Sequence, residues 1–245
     1  RDFHTVTNKP HRPDLGREVG KVKASPTKAF FVRMLTRDIE LEDALLDLLD
    51  NCVDGAVSAG KREKAPVDKP YDGYFAKITL GPAHFSIEDN CGGIPIETAK
   101  KYAFAMGRPE GLDVASPATV GMYGIGMKRS IFKLGTEALV ESRHDEGFSP
   151  EWMEEDDWND LPMYKLADGE LKGKGTRIVV YTLHDDVKTA FKSSSWRDEF
   201  KKTVSRHYSI IIDKGFSVTI GQEATLSSEK PIPAEPFKLL RTELC

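Results

Sequence analysis

A predicted helix from Leu41 to Val57 carries carboxylates along one side. On a wheel of about 100° per residue its polar residues fall within roughly one quadrant; they are Asp43, Asp47, Asp50, Asn51 and Asp54. The rest of the circumference is mainly apolar, so we expect the helix to be largely buried. Carboxylates without a compensating cation are costly to bury, and carboxylate and amide oxygens suit Mg²⁺. The stripe therefore favours a hard-cation site with a general base, and a solvated helix face is the alternative.

A second candidate site is a turn that follows a predicted strand. Asp89 stands at the strand end and is followed by Asn90, Cys91, Gly92 and Gly93. The Asp89 carboxylate could accept a hydrogen bond from an exocyclic amine, while the glycines let a flat ring approach the backbone. An ordinary tight turn explains the same residues, so this segment alone does not establish a ligand site.

A third segment places glycines at the start of a predicted helix. Gly121, Gly124 and Gly126 have the spacing G-x-x-G-x-G, and Lys128 follows them. Backbone N–H groups at a helix start bind anions, and a lysine adds a point charge. The order differs from the Walker pattern and from the dinucleotide-binding G-x-G-x-x-G pattern, which would need glycine where Arg129 stands. On its own, this loop is a weak indication of phosphate binding.

Composition excludes several classes of protein. The 245 residues are 39% hydrophobic and 30% charged, which favours a large folded domain over a disordered chain. The net charge of −4 argues against a chain that coats nucleic acid along its whole length. No apolar run approaches the roughly 18 residues that span a bilayer, so we expect no membrane partner. The cysteines form no C-x-x-C pair, which favours a reducing, intracellular location, cytoplasmic or nuclear.

The elements that must position these residues are predicted from hydrophobic period and turn residues. Helices are predicted at 36–60, 95–105, 123–134 and 194–212, and strands at 73–80, 84–88, 136–142, 176–183 and 216–220. Helices mixed with strands, without strict alternation, predict a layered α+β sandwich.

The remaining segments are predicted to lie outside the layers. Residues 145–160 carry eight acidic residues and no Lys or Arg, and we interpret them as a solvated insertion. Residues 1–25 combine six Lys or Arg with prolines and no clear period, which indicates an arm or linker. We expect the domain to cover residues 26–222, followed at 223–245 by an exit linker or the start of a next domain.

In combination and order, the motifs resemble those of the GHKL superfamily of ATPases. That superfamily includes the gyrase B subunit, MutL mismatch-repair proteins, large heat-shock chaperones, Microrchidia-type ATPases and sensor histidine kinases. The likeness runs from about Leu41 to Leu183 and includes a Gly175-Thr176 pair that enters a strand. It implies the Bergerat fold, an α+β two-layer sandwich with a mixed, mostly antiparallel sheet and helices on one face.

The resemblance implies a role for each matched residue. Asp47 stands where the family usually has a glutamate that activates the attacking water, and Asn51 stands at the magnesium ligand. Asp89 matches the aspartate that reads adenine. The other implied nucleotide contacts are Asp54, Gly93, Met106, Gly121, Tyr123, Gly124, Ile125, Gly126, Met127, Lys128 and Thr176. Residues 107–120 are implied to form a lid over ATP.

The family pattern is altered at two positions. Asp47 is one methylene shorter than a glutamate, and since a general base needs hydrogen-bond reach to its water, we expect slow turnover. Asp50 is a neighbouring candidate for the same role. Cys91 replaces the first glycine of the Asp-x-Gly-x-Gly pattern, and Gly92 beside it supplies backbone freedom.

The resemblance implies Mg²⁺-dependent binding and hydrolysis of ATP, with a lid whose ordering favours homodimerisation of a larger protein. A nucleotide-gated switch with little hydrolysis is the main alternative, and a structural domain with decayed motifs is another. A histidine kinase core is disfavoured because no phospho-acceptor helix is evident. We expect any nucleic acid or effector contact to come through the rest of the protein, and a solvated linker is preferred to a nucleic-acid-binding arm for residues 1–25.

Overall fold

A computed structural model describes residues 27–60, 64–104, 125–153, 163–166, 171 and 173–235. Its helices are α1 (Lys28–Thr36), α2 (Leu41–Ala59), α3 (Ile96–Thr98, continued by a π-helix over Ala99–Ala103), α4 (Gly126–Leu134), α5 (Asp185–Lys192), α6 (Ser194–His207) and α7 (Ser209–Asp213). Its strands are β1 (Phe75–Leu80), β2 (Phe85–Asp89), β3 (Gly135–Arg143), β4 (Gly147–Met153), β5 (Met163–Lys165), β6 (Gly175–Leu183) and β7 (Ser217–Gly221). A 3₁₀ turn covers Leu226–Ser228.

Within these described ranges, seven strands form one sheet in the order β5-β4-β3-β6-β2-β1-β7. All neighbours are antiparallel except β1 and β7, which run parallel. Helices α2 and α4 lie against each other and against the central strands of this sheet. The prediction of a two-layer α+β sandwich with a mixed, mostly antiparallel sheet is therefore confirmed.

The core between the layers follows from the two periodicities of the sequence. The buried residues of α2 recur at three- and four-residue spacing: Leu45, Leu48, Leu49, Cys52 and Ala56. Strand β1 buries alternate residues in the same core, because successive side chains of a strand point to opposite faces. The apolar side of α2 is thus fixed against the sheet, and its polar side is directed away from the core.

The sequence prediction of a single helix over 36–60 is wrong at its beginning. Residues 37–40 separate α1 from α2, and α1 itself was not predicted. Thr27 caps α1 by accepting a hydrogen bond from the Phe30 N–H through Oγ1 at 3.2 Å. Glu40 has an extended backbone, so α2 begins at Leu41.

Two other segments differ from their predicted structure. The interpretation of 145–160 as a solvated insertion does not hold for Gly147–Met153, because this segment forms β4 and pairs with β3 and β5. The helix predicted at 194–212 is interrupted at Tyr208, where φ is −104° and ψ is 15°. Helix α5 was not predicted, although its first turn holds two acidic residues, which favour a helix N-terminus.

After β7 the chain packs back onto the domain as far as Glu235. Ile232 is buried, and its N–H donates to the Val218 carbonyl at 2.7 Å. Lys201 on α6 pairs with Glu229 at 3.1 Å, and Arg206 pairs with Glu235 at 3.0 Å. Residues 223–235 therefore contact both α6 and β7, while 236–245 and the predicted arm at 1–25 lie outside the described residues.

Candidate functional site

The polar side of α2 opens onto a cavity of about 560 Å³, which we call the outer cavity. Its described lining is Met34, Leu35, Asp38, Asp47, Asp50, Asn51, Asp54, Ile125, Gly126 and Arg129. The buried face of α2 fixes the helix against the sheet, so these polar side chains are held at one place by the core beneath them. Asp43 belongs to the predicted stripe but is exposed and lines no described cavity.

Hydrogen bonds orient the polar groups of the outer cavity. The Asn51 amide donates from Nδ2 to the Asp47 carbonyl at 3.0 Å, which leaves Oδ1 as the atom for a cation. Arg129 on α4 donates from Nη2 to Oδ2 of Asp47 at 2.8 Å. Tyr208 lies 2.6 Å from Oδ1 of Asp50 and 3.1 Å from the Leu46 carbonyl.

A second cavity of about 340 Å³, the inner cavity, lies beside the same helix. Its lining combines apolar side chains with Asp89, Thr176 and the turn from Cys91 to Pro95. Asn51 and Asp54 line both cavities. The two cavities therefore meet at these two residues, with Asp89 in one and Asp47 in the other.

Asp89 is a buried acid at the end of β2. Its Oδ1 accepts from the Cys91 N–H at 2.7 Å, and the Thr176 N–H and the Cys52 thiol also donate to the carboxyl. Burial raises the pKa of Asp89 to about 6, because the charged form loses hydration. The hydrogen bonds lower the pKa and so offset part of this effect. A carboxylate held in an apolar pocket is suited to accept from the amine of a flat heterocycle.

Gly93 allows three segments to meet beside Asp89. Its φ is +71°, and a Cβ at this position would overlap the Arg143 carbonyl oxygen and approach that of Gly175. Only glycine combines this backbone conformation with such a close approach. The turn predicted from Asp-Asn-x-Gly-Gly is therefore a packed part of the inner cavity.

Ser142 on β3 supports this turn and was missed by the sequence analysis. Its Oγ accepts from the Ile94 N–H at 2.8 Å, lies 3.1 Å from Oγ1 of Thr176, and donates to the Gly175 carbonyl at 3.3 Å. The serine is fully buried. Nothing in its sequence neighbourhood distinguishes it from an ordinary strand serine, because its partners are distant in the chain.

The structure describes some of the residues predicted at the start of α4, and these residues lie in three different environments. Ile125 and Gly126 line the outer cavity, and Met127 lines the inner cavity. Lys128 is only 1% exposed and lines neither cavity, and burial lowers its pKa to about 8. Its predicted phosphate contact stays a prediction. Four other candidates, Met106, Gly121, Tyr123 and Gly124, and the predicted lid at 107–120 lie outside the described residues.

Asp54 and Thr176, both predicted to contact the nucleotide, line the inner cavity. Asp54 lines both cavities, and burial, followed by the negative charge of Asp50, raises its pKa. Thr176 lies in the inner cavity, where its backbone N–H reaches Asp89. Arg129 and Tyr208 were not predicted to belong to the site; the only sequence signal for Arg129 is its position directly after Lys128.

The outer cavity suits a cation that takes few protein ligands. Among the described residues, no group of three or more His, Cys, Asp or Glu side chains is arranged to hold a metal. A single amide oxygen from Asn51, with carboxylates nearby, matches Mg²⁺, which usually keeps several waters and binds phosphate oxygens. The residues present therefore fit magnesium bound together with a phosphate ligand.

Comparison with known proteins identifies a family for the chain. A search of curated proteins finds no match to the chain. No helix in the part of the chain that the structure describes is long and apolar enough to cross a membrane. The family model described as histidine kinase-, DNA gyrase B- and HSP90-like ATPase matches residues 39–162, slightly more than half the chain. The chain therefore belongs to this GHKL-type ATPase family, which supports ATP binding.

Proposed function

We propose that the protein is a Mg²⁺-dependent module that binds and hydrolyses ATP. The observation that carries the proposal is the pair of cavities that meet at Asn51 and Asp54. An apolar cavity with a buried acid is suited to a purine, and a polar cavity at a helix start is suited to phosphates. Their separate chemistries match the two ends of one nucleotide.

In this proposal Asp89 and Thr176 hold adenine, and Gly93 lets the ring approach the backbone. Asn51 provides the protein ligand for magnesium, which would neutralise charge on the phosphates. Backbone N–H groups at the start of α4 donate to phosphate oxygens. Asp47 accepts a hydrogen bond from a water and orients it toward the γ-phosphorus, so that a new P–O bond forms as the bond to the β-phosphate oxygen breaks.

The charges around the outer cavity explain the need for a cation. Its described lining contains four aspartates and one arginine, so it is formally negative. A triphosphate is also negative, and the two repel each other unless a cation lies between them. We therefore expect ATP to bind as its magnesium complex, with much weaker binding when the metal is chelated.

A nucleotide-binding switch with little hydrolysis is the second candidate. Asp47 has a shorter reach than glutamate, and its carboxylate pairs with Arg129 at 2.8 Å. The carboxylate oxygen that accepts from Arg129 is already engaged, so fewer acceptor sites on Asp47 are left for the attacking water. Both observations favour slow turnover, and a nucleotide affinity measured beside a single-turnover rate separates the two candidates.

We also propose that ATP favours homodimerisation through ordering of residues 107–120 and that the output comes from the rest of the protein, by contact with nucleic acid or an effector domain. The support is family membership alone. Sedimentation of the chain with ADP and with a non-hydrolysable ATP analogue tests the first part. A monomer with both ligands contradicts it.

The central experiment measures calorimetric binding of Mg·ATP and the release of phosphate. We expect Asp47→Asn to bind ATP while its turnover falls by at least about tenfold, because the general base is lost. Asp89→Leu should lose binding. Asp43→Asn is the matched control, since Asp43 lies on the same helix but lines neither cavity. No binding by the unchanged chain contradicts the proposal, and unchanged turnover in Asp47→Asn contradicts the base assignment.

A further inference from the structure

Arg129 is the unassigned charged residue closest to the chemistry. It lies in the first half of α4, where its backbone N–H bonds to the Ile125 carbonyl at 2.9 Å. The helix directs its side chain toward α2, against which α4 packs. Among the described residues that line the outer cavity, Arg129 is the single cation.

Among the described residues, Asp47 is the hydrogen-bond acceptor for the Arg129 guanidinium. Nη2 donates to Oδ2 of Asp47 at 2.8 Å, while Nε is buried and has no hydrogen-bond partner among the described residues. A buried donor without an acceptor costs free energy. The guanidinium therefore has unused donor capacity beside the cavity, and about a third of each side chain in the pair is exposed to that cavity or to solvent.

A phosphate group competes well with Asp47 for this arginine. It offers several oxygens and more negative charge than one carboxylate, and the planar guanidinium can bind it through two parallel hydrogen bonds. The aspartate that Arg129 contacts is also the residue proposed to orient the attacking water. The phosphate nearest to that water is the terminal one of a triphosphate.

We propose that Arg129 recognises the terminal phosphate of a nucleoside triphosphate by exchanging the Asp47 carboxylate for a phosphate oxygen. This inference rests on the proposed function. The exchange frees Asp47 to accept from water only when the third phosphate is present. Arg129 is thus a specificity residue for triphosphate over diphosphate, and it links the identity of the ligand to the position of the base.

The first test compares affinities for ADP and for a non-hydrolysable ATP analogue, both with magnesium. Arg129→Met should weaken binding of the analogue by about tenfold or more, in line with loss of a charge-assisted hydrogen bond, and should change ADP affinity by less than about twofold. Arg129→Lys should retain part of the preference. Lys133→Met is the matched control, because Lys133 lies one turn further along α4 and lines neither cavity.

The second test distinguishes two explanations. In one, Arg129 exchanges Asp47 for the phosphate; in the other, Asp47 only repels the phosphate. Asp47→Asn should raise analogue affinity several-fold relative to ADP, because Arg129 is released. In the Arg129→Met background the same Asp47→Asn change should have no such effect. If Asp47 acts only by repelling the phosphate, the gain persists in that background, and the exchange is refuted.

The outcomes also separate this inference from the proposed function. If the unchanged chain binds neither nucleotide, both are wrong. If it binds both and Arg129→Met weakens them equally, or weakens neither, ATP binding stands and the role of Arg129 is wrong. Thermal unfolding of each variant identifies a folding defect, and in that case Arg129→Lys decides through its ratio of analogue to ADP affinity.

Discussion

The protonation state of Asp89 contributes to the stability of the domain and, in the proposed function, determines how well the carboxyl group accepts a hydrogen bond from the base. Burial raises its pKa from 3.8 to about 6, so folding favours the protonated form. The stabilising contribution of that proton is complete below about pH 4 and is lost as the pH rises through about 6. Near neutral pH the carboxyl group is therefore mostly ionised, and it needs a donor that replaces lost hydration.

We predict that affinity for Mg·ATP falls as the pH is lowered through 6. The ionised carboxylate is the stronger acceptor for an exocyclic amine. If the protonated form does not bind, affinity drops by about tenfold between pH 7 and pH 5, since it falls tenfold for each unit below the pKa. Calorimetric titrations across this range measure the change.

Two control variants test whether Asp89 causes this pH dependence. Asp89→Asn cannot titrate, so its residual affinity should vary little over the same range. His144 also lines the inner cavity, so His144→Gln is the second control. A pH profile that survives in Asp89→Asn but disappears in His144→Gln assigns the effect to the histidine instead.

A second prediction compares alanine substitutions at the neighbouring residues Gly92 and Gly93. Both have positive φ, +71° and +106°, but a Cβ would meet nothing within 4 Å at Gly92 and would overlap the Arg143 carbonyl at Gly93. Gly92→Ala should cost about 1–2 kcal/mol from backbone strain alone. Gly93→Ala should cost clearly more and should also weaken nucleotide binding. Chemical denaturation measures both, and equal costs would contradict the steric argument.

The sequence identified residues of the site better than it identified their partners. Asp47, Asn51, Asp54, Asp89 and Thr176 were predicted because each belongs to a local motif, and each of them lines one or both of the two cavities. The contacts of Ser142, Arg129 and Tyr208 join residues 33 to 162 positions apart in the chain. No local spacing in the sequence indicates such contacts, so these supporting residues are recognised only in the three-dimensional structure.

At the scale of elements, Tyr208 connects the end of α6 to α2. Its side chain is buried, and burial raises the pKa of Tyr208 well above its ordinary value, with the negative charge of Asp50 adding to the effect. The phenol is therefore a neutral donor at all relevant pH values. It connects α2 to the end of α6 through Asp50 and the Leu46 carbonyl.

We predict that Tyr208→Phe lowers the free energy of unfolding by about 1–2 kcal/mol. The change keeps the ring in place and removes one hydrogen bond to a charged group; Asp50 is exposed, so water replaces the lost donor and limits the cost. Tyr181→Phe is the control, because Tyr181 is 40% exposed. Equal stability of the two variants would show that the contact with α2 contributes nothing measurable.

Helices and strands were predicted correctly where the local sequence pattern was clear. Strands β1, β2, β3 and β6 were predicted because their alternating or β-branched residues end at turn residues. Strand β4 was missed because the many acidic residues of 145–160 favoured a solvated insertion, although this strand forms a local hairpin with β3 in which Arg143 pairs with Gly147. Helix α5 was not predicted, although Val187 and Phe191 are both buried at helical spacing.

At the scale of the whole molecule, β7 forms one edge of the sheet. It lies parallel to β1 at the sheet edge, and the segment after it crosses to α6. Ser205 on α6 donates from Oγ to the Pro233 carbonyl at 2.6 Å, and the Glu235 N–H donates to the Ser205 carbonyl at 3.4 Å. The segment thereby covers the edge strand and connects it to the helical layer.

We predict that Ile232→Ala lowers the free energy of unfolding by about 2–3 kcal/mol, the low end of the range for truncating a buried aliphatic side chain. Ile232 is 7% exposed and belongs to the same core cluster as Val218 and Val204, so its loss leaves a cavity at the junction of both layers. Val67→Ala, at a side chain that is 90% exposed, should change stability by less than about 0.5 kcal/mol. Urea denaturation gives both values. Because Ile232 lines neither cavity, the folded variant should bind nucleotide normally. A stability loss no larger than that of Val67→Ala would mean that this segment is not part of the folded unit.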